Sequence, residues 1–489
     1  MSSRSARLAE LPKIAPSTFK PGGTRLVNEF DMIVIGSGPS GRRAAVQAAK
    51  LGKSVLVVEK GRRVGVSVHT GTIPSKTLRE TVLNLSGWRE RGFYGRAYRV
   101  KQDIGADDLI VRLRKTLDHE VEVLEHQFNR NAVKTANGEA RFVGPHEIEV
   151  VAENGETRIF HAAHVLIACG TRPFRPDYVP FNGTSVFDSD EIIELPQLPR
   201  SLAVIGAGVI GVEYATIFSA LDVSVTLIEP RDSFLDFIDK ELIDEFMHEL
   251  RDRNMRLRFG AAVTSIEAKE GGGVTTTLAD GRVVASEMLL FAAGRVGATD
   301  RLNLGAVGIA TDHRGRIVVD PKTLQTSAPH IYAAGDVIGF PSLASTSMEQ
   351  GRLAACHAFG LAPPPPPEFF PYGIYSVPEI STVGMTEEEV RKREIPYECG
   401  IARFRETSRG HIMGLNTGMM KMIFSTRSRR LLGVHIVGEG ATELIHIGQA
   451  VLNLKGTIDY FIENTFNYPT LAEAYKIAGL DAWNRMARG

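Results

Sequence analysis

Two glycine triplets of identical spacing stand out in the chain, Gly36-Ser-Gly38-Pro-Ser-Gly41 and Gly206-Ala-Gly208-Val-Ile-Gly211. Each is followed by a glutamate, Glu59 or Glu229, 23 positions after the first glycine. Such a triplet suits the binding of a diphosphate. The first glycine permits a tight turn, and the second lacks the Cβ that would keep pyrophosphate off the backbone. The third lets a helix pack closely on a strand, and the free N–H groups at that helix's start face the phosphates. The glutamate at the end of the next strand is suited to accept hydrogen bonds from a ribose. One triplet is weak evidence of a nucleotide site; two copies with the same downstream acid are strong.

The flanking residues supply the elements these turns need. Asp31–Ile35 reads as a short apolar strand, Arg42–Leu51 as an alanine-rich helix and Ser54–Val58 as the next strand. The second copy repeats the order with Leu202–Ile205, Val212–Leu221 and Val223–Ile228. Asp107–Asn129 reads as a long amphipathic helix, and Gly144–Val151 and Thr157–Ala168 as strands. Arg256–Ala268 and Val274–Val284 read as a small antiparallel elaboration. Five consecutive prolines, Pro363–Pro367, make a stiff extended connection into a last region. That region mixes strands (Met420–Phe424, Leu432–Val437) with helices (Thr442–Leu454, Thr470–Ile477).

At 489 residues the chain exceeds a single core, and at roughly 150 residues per domain it divides into about three. Lysine plus arginine equals aspartate plus glutamate at 57 each, so no net field steers nucleic acid or an anionic membrane to it. No apolar run reaches the roughly twenty residues of a membrane span. The first 29 residues lack a signal-peptide core, and Glu10 and the early prolines argue for a flexible leader over a transit peptide. Cys169, Cys356 and Cys399 share no close spacing, which leaves neither a CxxC pair nor a metal set and points to reduced thiols in the cytoplasm. His411, His435 and His446 lack ligand spacing, and no metal is expected.

Further segments are shared with a known family: Gly71-Thr-Ile-Pro-Ser-Lys76, Cys169-Gly-Thr-Arg-Pro173, Ala293-Gly-Arg295, Ile331-Tyr-Ala-Ala-Gly-Asp336 and Gly433-Val-His-Ile-Val-Gly438. With the two triplets, they make the chain resemble the pyridine nucleotide–disulfide oxidoreductases from about Phe30 to the C-terminus. The resemblance implies an α/β fold of two Rossmann-like dinucleotide-binding domains, for FAD and NAD(P), plus a C-terminal α+β dimerisation domain, working as a homodimer. Residues 30–170 and 295–360 would form the FAD domain, 171–294 the NAD(P) domain, 361–367 the proline linker and 368–489 the interface domain. Gly36, Gly38, Gly41, Glu59, Thr72, Lys76, Gly170, Arg295 and Asp336 are implied at FAD, with Asp336 near the ribityl chain. Gly206, Gly208, Gly211, Glu229 and Arg231 are implied at NAD(P).

Two departures narrow the activity. Disulfide-active members carry CxxxxC where this chain has Ser67 and Thr72, and a hydroxyl cannot exchange with a disulfide. They also carry a histidine where this chain has Tyr468, five positions before Glu473, and a phenol titrates too high to serve a thiol couple. Both changes remove the same half-reaction. What remains resembles the soluble, Si-specific NAD(P) transhydrogenases, which exchange hydride between NADPH and NAD+ through FAD. On that resemblance Lys76 lies near the reactive flavin ring, oriented by Glu213, and Tyr468 with Glu473 lines the site. Glu229 favours the free 2′-hydroxyl of NAD, while Arg231 could admit the 2′-phosphate of NADP. Arg231 reads equally as an exposed turn residue, which would make the chain an NADH-preferring diaphorase. An NAD(P)H:quinone oxidoreductase and a non-catalytic flavin-binding scaffold share these residues and stay open.

Overall fold

The computed structural model describes residues 28–61, 65–364 and 366–487. Most of the expected leader, and Pro365 within the proline run, lie outside them.

Each glycine triplet follows a strand paired in parallel with both its neighbours, in a mixed sheet for the first triplet and an all-parallel sheet for the second. In the first sheet the order is Lys134–Asn137, Val55–Glu59, Glu29–Ile35, Thr157–Ile167, Glu147–Val151 and Glu139–Gly144, with Ile331–Ala333 also paired to Thr157–Ile167. Its strands Glu29–Ile35 and Val55–Glu59 are apolar and mostly buried, with the helices Pro39–Lys50 and Ala344–Ala358 on one face and the strands Glu139–Gly144 and Glu147–Val151 on the other. The helices Pro39–Lys50 and Ala344–Ala358 cross so closely that a Cβ on Gly351 would stand 1.9 Å from the Ser40 carbonyl oxygen. This crossing brings the Ala334–Asp336 segment beside the first glycine turn, where Ser40 Oγ donates to the Ala334 carbonyl at 3.1 Å.

The second sheet is parallel throughout, in the order Arg256–Arg258, Ser224–Ile228, Ser201–Ile205, Met288–Phe291 and Val186–Asp188. The expected antiparallel elaboration is smaller than its sequence suggests. Arg256–Arg258 is the edge of the parallel sheet, and the flap consists of Val263–Ala268, Val274–Leu278 and Val283–Ser286. A tripeptide with two arginines suits an edge strand, where its side chains can reach water. A two-stranded ribbon, Thr171–Pro173 against Arg295–Gly297, carries the chain into and out of this region.

The last region is a five-stranded antiparallel sheet ordered Tyr372–Ile374, Ile380–Gly384, Leu431–Val437, Met419–Ser425 and Tyr397–Arg403. Helices Ala441–Asn453 and Glu473–Met486 share one core with it around Phe404, Met422, Ile445 and Tyr475. The final helix starts at Glu473, three residues later than the sequence suggests, and runs nine residues further. Ile374, Val377, Ile380, Met419 and Val437 belong instead to the core of the second sheet's region. The two regions are therefore welded by buried apolar contact.

Candidate active site and nucleotide clefts

The two glycine turns are built alike. Gly36 and Gly206 have φ of +104° and +97°, and a Cβ on them would stand 2.3 Å from the Ala168 carbonyl oxygen and 2.6 Å from that of Ala292. A Cβ on Gly41 or Gly211 would stand 2.0 or 1.9 Å from the carbonyl oxygen of its own first glycine. A Cβ on Gly38 or Gly208 meets nothing within 4 Å, and each of these residues caps its helix in extended backbone. First and third glycines are thus required by the fold. The middle one holds open space at a helix N-terminus, as a close-approaching diphosphate requires, so both turns fit a dinucleotide.

Each strand-ending glutamate folds back on its turn. Glu59 Oε2 accepts from the Ser37 amide and the Ser37 hydroxyl, both at 2.7 Å. Glu229 Oε2 accepts from the Ala207 amide at 2.8 Å. The two carboxylates then diverge. Burial raises the pKa of Glu59 despite the Ser37 bonds. Burial also acts upward on Glu229, but hydrogen bonds from the Arg231 side chain and the Ala207 amide outweigh it and hold the pKa below the usual range. Arg231 Nε donates to Glu229 Oε1 at 2.8 Å, and its other end lies 3.5 Å from Asp236. Gly208, Val209, Arg231, Leu235, Asp236 and Phe237 line an open cleft of about 480 Å³. At the first turn a recess of about 50 Å³ runs past Ser37, Glu59, Phe128 and Asn137.

A pair of opposite charge joins the helix Thr72–Leu85 to the helix that follows the second glycine turn. Lys76, on the helix Thr72–Leu85, points its ammonium at Glu213 Oε2 at 2.7 Å. Glu213, one turn into the helix Val209–Ala220, is buried, and its Oε1 accepts the Tyr375 amide at 2.9 Å. The Lys76 ammonium also sits 4.9 Å from the centre of the Tyr375 ring. Three regions of the chain therefore meet at one carboxylate. Tyr375 was not anticipated from the sequence, and nothing in its local pattern marks it. Thr72 opens the Lys76 helix and is exposed; the helix Val66–His69 carries Ser67.

The other expected residues are distributed as follows. Gly170, at φ +66°, turns the chain into the two-stranded ribbon. Arg295 is engaged within the protein, donating to Asp190 at 2.7 Å and to the hydroxyl and carbonyl oxygens of Thr171, each at 2.9 Å. Asp336 is half-buried; burial raises its pKa, opposed by Arg295 and by a hydrogen bond from Ser347. Tyr468 and Glu473 lie apart from Lys76 in sequence and converge on a residue missed from the sequence, Ser408. Its hydroxyl pairs with the Tyr468 hydroxyl at 2.6 Å, and its amide donates to Glu473 Oε1 at 2.8 Å. Tyr468 is 72% exposed.

The three cysteines are unpaired, and burial pushes the Cys169 thiol up to about 12, which suits packing and not thiolate chemistry. Among the described residues, no cluster of three or more His, Cys, Asp or Glu side chains could hold a metal ion. No described helix is long and apolar enough to cross a membrane.

Comparison with known proteins agrees with this architecture. Residues 30–351 match the family described as pyridine nucleotide-disulphide oxidoreductase, and residues 370–478 match its dimerisation domain. The soluble pyridine nucleotide transhydrogenase of Mycobacterium tuberculosis (strain ATCC 25177 / H37Ra) is 50% identical over 462 residues, covering 94% of this chain and 98% of that one. The protein of the same name from Serratia proteamaculans (strain 568) is 41% identical over 463 residues, covering 94% and 99%. Among solved structures, LpdA from Mycobacterium tuberculosis superposes with a TM-score of 0.84 at 26% identity, over 92% of this chain and 99% of that one. The HOCl-induced flavoprotein disulfide reductase RclA from Escherichia coli gives 0.82 at 26% identity, over 92% and 99%.

Proposed function

The chain belongs to the pyridine nucleotide-disulphide oxidoreductase family, and from that premise we propose that it exchanges hydride between NADPH and NAD+ as a soluble transhydrogenase. FAD, when bound, supplies a ring that takes hydride from one nicotinamide nucleotide and returns it to the next. FAD would be held by the turn Gly36–Gly41, with Glu59 and Asp336, and the nucleotides by the turn Gly206–Gly211, with Glu229 and Arg231. Lys76 supplies a positive charge, and Glu213 fixes its ammonium so that no reorganisation is needed as negative charge develops.

One observation carries this reading. The Lys76–Glu213 pair and both glycine cradles are intact, whereas Ser67, Thr72 and Tyr468 stand where thiol chemistry needs two cysteines and a histidine. Nucleotide-to-nucleotide hydride exchange has no net proton requirement, so it does not need that histidine. Tyr468 and Glu473, tied together through Ser408, line the site with no proton to move in this exchange. The dimerisation domain supports a homodimer, and three unpaired cysteines support residence in the reducing cytoplasm.

Anaerobic titration tests the proposal. NADPH should bleach the flavin, and NAD+ added afterwards should restore the colour with one NADH formed per flavin. A colour that persists under NADPH would leave only a scaffold. Rapid quinone turnover without nucleotide exchange would identify a different oxidoreductase.

A further inference from the structure

An aromatic pair joins the nucleotide cleft to the charged pair. Phe237 is 41% exposed and forms one wall of the cleft that Gly208 and Arg231 also line. Its ring centre lies 4.6 Å from that of Tyr372, at an interplanar angle of 58°. Tyr372 begins the edge strand Tyr372–Ile374 of the last sheet, three residues before the Tyr375 amide that holds Glu213. Burial pushes the Tyr372 phenol up to about 12, reinforced by the nearby carboxylates of Glu213 and Asp336. Tyr372 thus touches the cleft through Phe237 and lies within electrostatic reach of Glu213. Val209 and Glu213 sit four positions apart on one face of their helix. A nucleotide whose diphosphate rests at Gly208 and Val209 and whose far end points toward Glu213 and Lys76 would run along this face, past Tyr372.

We propose that Tyr372, backed by Phe237, is a positioning residue for the nicotinamide–ribose half of the bound nucleotide, its ring forming a wall and its hydroxyl a hydrogen-bonding group. This rests on the function proposed above only in naming the nucleotide. Aromatic walls suit such a task because they offer large contact area with two rotatable angles.

Binding to the FAD-loaded dimer separates the two halves of the ligand. ADP carries the adenosine and the diphosphate but neither the nicotinamide nor its ribose, so Tyr372→Ala should leave its Kd within twofold. The same variant should weaken NADH by about tenfold. Tyr372→Phe should recover most of the NADH affinity, and Phe237→Ala should show a weaker form of the same pattern. An unchanged flavin absorption spectrum and melting temperature certify the fold. Equal weakening of both ligands, or of neither, overturns the assignment. These affinities do not depend on hydride exchange, so a chain that binds NADH but fails to transfer hydride to NAD+ would refute the proposed function and leave this inference standing.

Discussion

The Lys76 ammonium and the Glu213 carboxylate meet at 2.7 Å although 137 positions separate them in the chain. Glu213 is almost fully buried and Lys76 only partly, so the carboxylate depends on its partners more than the ammonium does. Glu213→Gln keeps an acceptor for the Tyr375 amide and removes the charge that orients Lys76. We expect flavin reduction by NADPH to slow by about 10- to 100-fold, with much less change in melting temperature. Stopped-flow bleaching measures the rate; a change under twofold would show that the pair is structural only.

The glycines separate packing from binding. Gly208 has φ −71° and ψ 178°, open to any residue, and its Cβ would meet no atom within 4 Å. Gly208→Ala should therefore cost less than about 1 kcal/mol of stability while weakening nucleotide binding at least tenfold. Gly211→Ala would drive its Cβ to 1.9 Å from the Gly206 carbonyl oxygen. Backbone must move, at about 1 to 3 kcal/mol. Thermal melts paired with NADH titrations give both numbers, and a Gly208→Ala protein that binds normally would contradict the close-approach reading.

Arg231 lies between two acids, bonded to Glu229 and 3.5 Å from Asp236. To meet a 2′-phosphate its side chain must leave Glu229, whose buried carboxylate keeps the Ala207 and Arg231 amides as support. Arg231→Ala should lower kcat/KM for NADPH about tenfold or more and change that for NADH by less than about threefold. Parallel loss with both nucleotides would assign Arg231 to the loop's architecture alone.

The parts legible in the sequence were those whose physics is local. The glycine triplets and their glutamates are set by one turn, one helix start and one strand end, so spacing alone reveals them. Lys76 and Glu213 became candidates only through family resemblance, because no periodicity links residues in different domains. Tyr375, Tyr372 and Ser408 carry no local signal, since their roles arise from contacts such as Tyr375 to Glu213 across 162 positions and Ser408 to Glu473 across 65. Arg256–Arg258 was merged with the flap because three residues cannot show whether their neighbour will be parallel or antiparallel. The buried charge at Lys421 was equally hidden, inside a strand that reads as apolar on both sides.

Lys421 is 1% exposed and bridges Asp239 at 2.9 Å, Glu241 at 3.0 Å and Glu387 at 2.5 Å, tying the last sheet to the second region. Burial acts to raise the Glu387 pKa, but the Lys421 ammonium and the Tyr397 hydroxyl prevail and hold it at about 2, below the ordinary 4.5. A depressed carboxylate stabilises the fold above its unfolded pKa. The contribution is therefore complete above about pH 4.5 and disappears as pH falls toward 2. Melting temperature should drop through that window. Lys421→Met leaves the fully buried Asp239 carboxylate without its counter-ion and should cost about 3 to 5 kcal/mol at neutral pH. Its stability should then rise on mild acidification, because protonation relieves the unpaired charges. A variant with the parental acid profile would show that the cluster is not the source.

The thiol half-reaction should resist simple restoration. Ser67→Cys with Thr72→Cys supplies the missing sulfurs but leaves Tyr468, whose hydroxyl is committed to Ser408 at 2.6 Å. An ordinary phenol titrates near 10, too high to exchange protons with a dithiol at neutral pH. The double variant should therefore show almost no disulfide reduction by NADPH. Adding Tyr468→His, beside the Glu473 carboxylate already held by the Ser408 amide, should raise that activity by about 100-fold or more. Tyr468→Phe in the parent should change nucleotide hydride exchange by less than about threefold, because that exchange has no net proton to move. Disulfide turnover by the double variant at the rate of the triple one would mean that Tyr468, or another group, already serves as the acid–base residue. In that event the departure at position 468 would no longer account for the proposed loss of the thiol half-reaction.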